Sequence, residues 1–186
     1  MHINNLSQYY FINKFDPEHI KKLDKNISII YRNYSIKTNY ELILKIKEFC
    51  KKNNRKFFLS NDVKLAYKLG LNGVYLPSFN NETIHKCYRL NKNFQIIGSA
   101  HNIKEINLKR RQGVTTIFVS SLFKKNKNYL GVNRFKNIIK DKKLNIIALG
   151  GINLKNIKKL LLLNIVGFAG ISFFDQKKGP YKNRGL

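Results

Sequence analysis

Short apolar runs alternate with helix-like segments eight times along this chain, and few architectures accept that pattern. The runs are "QYYFIN" (8–13), "ISIIYR" (27–32), "KFFLSN" (56–61), "GVYLP" (73–77), "QIIGSA" (95–100), "TTIFVSS" (115–121), "NIIALGG" (145–151) and "VGFAGISFF" (166–174). Most are apolar at consecutive positions, which marks strands covered on both faces and hence a parallel sheet. Between them, Asp16-Pro17 opens a short helix through Leu23, and a long amphipathic helix spans Asn39 to Lys52. Further helices are expected over Asp62–Gly70, Glu82–Leu90, Asn102–Gly113, 132–141 and 153–163, with Gly70 and Gly113 as stops. Eight such units in one layer predict a single α/β domain over 1–186, a compact (βα)8 TIM barrel with its core at about 9–174. The ending "DQKKGPYKNRGL" leaves little room after the eighth strand, so the last helix is expected to be truncated. A doubly wound open sheet is the competing architecture. It carries its Gly-rich turn after the first strand, whereas the adjacent Gly150 and Gly151 follow the seventh.

The formal charge of +26 favours anionic partners, from phosphorylated metabolites to nucleic acid. Lys, Asn and Ile are abundant together, so compositional bias and solvated helix faces account for much of that charge. No helix-turn-helix, RNP-like strand or zinc spacing accompanies it, and a non-specific nucleic-acid binder rests on charge alone. No 18-residue apolar run is present, the N-terminus lacks signal-peptide features, and two cysteines imply no disulfide framework. A cytoplasmic location without membrane partners is the expectation. His2, His19 and His85 show no metal-ligand spacing and read as surface residues.

In a barrel of this kind the chemistry lies on the loops after the strands. That rule selects Arg32, Asn61, Asp62, Ser78, Asn80, Ser99, His101, the segment Ser120–Lys127, Gly150, Gly151 and Gly170–Ser172. The set is rich in cations and hydrogen-bond donors and holds one well-placed carboxylate. Glycines after the seventh and eighth strands let backbone N–H groups approach a phosphate, or they simply turn the chain.

Together, "FFLSNDVKLAYKLGLNGVYLP", "IIGSAHNIKE" and "IIALGGINLKNIKKLLLLNIVGFAGIS" resemble the thiamine phosphate synthase/TenI superfamily, whose members are (βα)8 barrels. The resemblance runs from about Tyr9 to Phe174. It implies a transferase that joins hydroxymethylpyrimidine diphosphate to thiazole phosphate with release of pyrophosphate, in thiamine biosynthesis. It further implies a thiazole-phosphate seat at Gly150, Gly151, Ile171 and Ser172, and Mg²⁺ held by Asp62 and Asn80. Arg32, Asn61 and Lys127 would meet the diphosphate, and Arg32, Ser99, His101 and Lys127 would be catalytic. The implied partners are small phosphorylated substrates; no specific nucleic acid is expected, and a homo-oligomer is compatible.

The second strand end departs from the family's Q-x-R-E-K: only Arg32 matches, with Ile30 and Tyr34 at the Gln and Lys positions. The fourth strand end reads "VYLPSFNN" for "VHLGQ-D", which puts Asn80 where the family has an acid, with Glu82 nearby. After the sixth strand, "SSLFKKNKN" replaces "GP" and its following Thr residues. Three readings follow: a synthase with Lys124, Lys125 and Lys127 compensating, a TenI-like thiazole tautomerase acting through His101, or a catalytically impaired barrel that binds a phosphorylated ligand. Blander roles stand beside these: Asp62 as an N-cap, Arg32 as its ion-pair partner, and Lys124–Lys127 as a solvated loop.

Overall fold

The computed structural model describes residues 3–34, 39–140 and 144–175. Eight parallel strands close into a barrel in sequence order: β1 (Ser7–Ile12), β2 (Ser28–Tyr31), β3 (Phe57–Ser60), β4 (Gly73–Leu76), β5 (Gln95–Ala100), β6 (Thr116–Val119), β7 (Asn145–Leu149) and β8 (Gly167–Gly170). β8 pairs back onto β1, with Ser7 beside Gly167 and Tyr9 beside Ala169, so no sheet edge remains. The helices are α1 (Pro17–Lys21), α2 (Tyr40–Lys52), α3 (Val63–Lys68), α4 (Ile103–Arg111), α5 (Gly131–Ile138) and α6 (Ser172–Asp175).

Strand periodicity divides the apolar residues between two cores. Phe11, Ile30, Phe58, Tyr75, Ile97, Phe118, Ile147 and Ala169 point inward and fill the barrel. Their neighbours, such as Tyr10, Ile29, Phe57, Val74 and Ala148, face the outer shell. The interior is unusually aromatic: Tyr75 meets Phe11 at 5.1 Å and Phe118 at 5.6 Å, and Phe118 meets Tyr9 at 5.0 Å, all edge-on. Below the barrel, buried Arg55 donates to the carbonyls of Ile20 and Leu23 at 3.0 and 2.6 Å, and to that of Asp24. A guanidinium there satisfies the orphan carbonyls at and beyond the end of α1.

The outer layer is thinner than the sequence implies. The helix expected over 82–90 is a 3-10 turn, Ile84–Cys87, because His85 is drawn inward to Gln112. That also corrects the surface reading of His85, which is 2% exposed; His19 is half-buried, and His2 lies outside the described residues. The helix expected over 153–163 is likewise a 3-10 segment, Ile157–Leu162. Its inward residues are Ile157, Leu160 and Leu163, a spacing of three that matches the 3-10 period. The eighth strand stops at Gly170, and Ser172 already begins the four-residue α6; residues 176–186 lie outside the described set. Among the described residues no helix is long and apolar enough to cross a membrane.

Candidate functional site

The C-terminal strand ends gather most of the residues that the sequence singles out. Arg32 follows β2 and lays its guanidinium 5.0 Å over the Phe11 ring. Near it sits Tyr75, which strand periodicity places inward and which no motif in the sequence marks. Its hydroxyl is pushed up to about 12 by burial, and Ser99 and Arg32 pull the other way. Arg32, Tyr75 and the buried Ser99 therefore converge on one spot below the mouth. Among the described residues no ion pair joins Arg32 to Asp62.

After β3, Asn61 adopts a φ of 63°, a left-handed conformation that Asn tolerates. Asp62 caps α3, its Oδ1 accepting from the Leu65 N–H at 2.9 Å. The Asn61 side chain accepts from Asn80 Nδ2 at 2.9 Å, which ties the ends of β3 and β4 together. The Asn80 oxygen Oδ1 accepts from Gln112 Nε2 (2.9 Å) and from the Glu82 N–H (3.1 Å), so its acceptor capacity is used within the protein. Mg²⁺ is typically held by one or two carboxylates together with waters and substrate phosphates. Asp62 supplies one such carboxylate, and no group of three or more His, Cys, Asp or Glu side chains able to hold a metal occurs among the described residues. One carboxylate beside two Asn side chains is compatible with an ion that takes its other ligands from water and phosphate oxygens.

Behind Asn80 lies a buried polar network. Lys109 is fully buried and donates from Nζ to the Asn80 carbonyl (2.8 Å) and to Gln112 Oε1 (2.9 Å). Burial lowers its pKa to about 8 from 10.5, against the pull of Glu105. Between those values the unfolded chain binds a proton that the folded chain does not, so this group's contribution to stability rises with pH. It is least favourable below pH 8. Lys109→Met should therefore flatten the rise in melting temperature between pH 8 and about 10 relative to the parent; parallel curves would show that Lys109 does not titrate there.

At the start of α4, the helix that also carries Lys109, Asn102 is the N-cap and accepts from the Glu105 N–H, while the Glu105 carboxylate accepts from the His101 N–H at 2.8 Å. That fixes His101, whose Nδ1 lies 2.9 Å from the Ser120 carbonyl and 3.0 Å from its hydroxyl. A tautomer that donates Nδ1–H to the Ser120 carbonyl leaves Nε2 as the hydrogen-bond acceptor of the ring.

The glycine pair has a structural explanation of its own. Gly150 and Gly151 have φ of 103° and 74°, and the loop after β6 closes directly onto them. A Cβ on Gly150 would meet Ser121 Oγ at 2.5 Å, and one on Gly151 would meet the Lys124 backbone nitrogen at 2.5 Å. The Gly150 carbonyl accepts from the N–H groups of Phe123 (2.8 Å) and Lys124 (3.2 Å). The close approach is thus made by the β6 loop, which this contact holds beside β7 with Lys124, Lys125 and Lys127 exposed. Ile171 and Ser172 are exposed at the end of β8.

Residues 22–174 match the sequence model of the family described as thiamine monophosphate synthase. The thiamine-phosphate synthase of Pelagibacter ubique is 33% identical over 154 residues, which cover 77% of this chain and 72% of that protein. That of Fusobacterium nucleatum is 29% identical over 142 residues, covering 74% and 68%. That of Prochlorococcus marinus subsp. pastoris is 33% identical over 59% of this chain, which spans only 32% of that longer protein. The solved thiamine phosphate pyrophosphorylase of Pyrococcus furiosus has the same fold, with a TM-score of 0.74 at 22% identity over 91% of this chain and 87% of that one. A closed eight-stranded barrel, the motif residues at its mouth and the match from before β2 into α6 lead to one conclusion: the chain belongs to the thiamine monophosphate synthase family.

Proposed function

We infer that the protein is a transferase of the thiamine-phosphate synthase type, joining hydroxymethylpyrimidine diphosphate to a thiazole phosphate with release of pyrophosphate. The observation that carries this reading is the family match over 22–174, laid on a barrel whose mouth gathers Arg32, Asn61, Asp62, Ser99 and His101. In the reaction the thiazole nitrogen forms a bond to the pyrimidine methylene carbon, and the bond from that carbon to the diphosphate oxygen breaks. The nitrogen loses no proton, so a strong general base is not required. What the site must supply is positive charge for the departing pyrophosphate.

Arg32 stands at the mouth as a cation with no carboxylate in ion-pair contact among the described residues. Lys127, with Lys124 and Lys125, presents further positive charge from the β6 loop. The Asp62 carboxylate, with one oxygen committed to its helix, is the side chain to hold Mg²⁺, which when bound neutralises charge on the diphosphate. Asn61 belongs with the diphosphate, and Asn80 acts as the lock that holds it in place. Ser99 lies against the Tyr75 hydroxyl at the floor. Gly150, Gly151, Ile171 and Ser172 are the proposed seat of the thiazole phosphate, and the location is taken to be cytoplasmic.

A second reading has one specific observation in its favour. His101 is held through Nδ1 by Ser120, as a proton-transferring TenI-type tautomerase would need. Pyrophosphate release separates the two: it should require both substrates and Mg²⁺ together. Isomerisation of the thiazole phosphate alone, without pyrophosphate release, would favour the tautomerase.

A further inference from the structure

Two exposed aromatic rings form a corner at the mouth. Tyr34 and Phe79 are 50% and 61% exposed, yet they touch, their centroids 5.3 Å apart and their planes at 77°. They stand at the β2 and β4 ends, where the chain departs from the family's charged pattern, and those two departures meet in space. Both rings are anchored. The Tyr34 hydroxyl is 2.7 Å from Ser60 Oγ, at the end of β3. Phe79 precedes Asn80, whose carbonyl is gripped by buried Lys109 and Gln112. Large apolar surface left in water is unfavourable, and two rings near a right angle each keep a face uncovered.

We propose that the Tyr34–Phe79 corner is a specificity element that receives the heteroaromatic ring of the diphosphate substrate. A flat ring stacks on one of these faces and meets the edge of the other, an arrangement that favours aromatic pairs. The placement suits a ring carrying a diphosphate: Arg32 lies two residues before Tyr34, Asn61 follows Ser60, and Asn80 follows Phe79. A phosphorylated ligand without a ring gains nothing from the corner. The inference rests on the synthase reading and adds the residues that select the pyrimidine.

Calorimetric titration with hydroxymethylpyrimidine diphosphate and with inorganic pyrophosphate, both in Mg²⁺, tests it. Stacking on an aromatic side chain is strong enough that Phe79→Ala should weaken the pyrimidine diphosphate by about tenfold or more. Pyrophosphate affinity should change by less than about twofold, and Phe79→Trp, which keeps a stacking face, should retain pyrimidine affinity. Phe79 is mostly exposed, so the variant should melt with the parent. If the parent binds both ligands and Phe79→Ala weakens neither, or both equally, the corner is not a specificity element. If the parent binds neither, the synthase reading falls and takes the corner with it.

Discussion

Asp62→Asn should fold as the parent does and lose at least about a hundredfold in kcat/KM with Mg²⁺, the scale of removing one electrostatic stabiliser from a reaction centre. The substitution separates two roles that one side chain holds. As a cap, Asp62 accepts from the Leu65 N–H, and an Asn carbonyl oxygen performs that task about equally well. Stability should therefore move by no more than about 0.5 kcal/mol. As a ligand to a hard cation on the diphosphate, the neutral amide is a poor replacement. Asp62→Ala should add a cap loss of about 1 kcal/mol to the same catalytic defect. Thermal unfolding beside steady-state kinetics reads both. Full activity in Asp62→Asn would reduce Asp62 to a helix cap.

Gly151→Ala should cost about 3 kcal/mol, combining a left-handed φ for a residue with a Cβ and a clash that the neighbour cannot relieve cheaply. That Cβ would lie 2.5 Å from the Lys124 nitrogen and 2.9 Å from its Cα, both backbone atoms, so the β6 loop itself must move. For a chain of this size the melting temperature should fall by roughly 6–12 °C. Because the same loop carries Lys124, Lys125 and Lys127, turnover should fall as well, measured below the melting transition. A variant with parental stability would mean that the loop does not rest on the glycines.

Local chemistry made much of the barrel legible. Asp16, Asn39, Asp62 and Asn102 each cap a helix through the side-chain oxygen, and Gly70 and Gly113 end helices with positive φ. The apolar runs gave the strands because a strand buried on both faces has little freedom to be polar. The 3-10 segments were not legible in the same way. A run such as Leu160–Leu163 looks helical until packing selects every third residue, and His85 turns inward only because Gln112 presents a carbonyl there.

The candidate site divides along the same line. Residues at strand ends, such as Arg32, Asn61 and Asp62, follow from topology once the barrel is assumed. Contacts between distant segments do not. Nothing local reveals that Asn80 is held by Gln112 and by Lys109 from α4, or that Arg32 and Ser99 both come close to the Tyr75 hydroxyl. The glycine pair shows the reverse case. Two adjacent glycines at a strand end imply a close approach, and the neighbour is the chain's own β6 loop, so the glycines build the mouth whether or not a phosphate seats there.

The most direct test of the central claim is one incubation of the protein with hydroxymethylpyrimidine diphosphate, thiazole phosphate and Mg²⁺, read by mass spectrometry for thiamine phosphate. The account predicts product in amounts equal to the pyrophosphate released, and little from Asp62→Asn. No thiamine phosphate from folded parent protein that binds both substrates would contradict it.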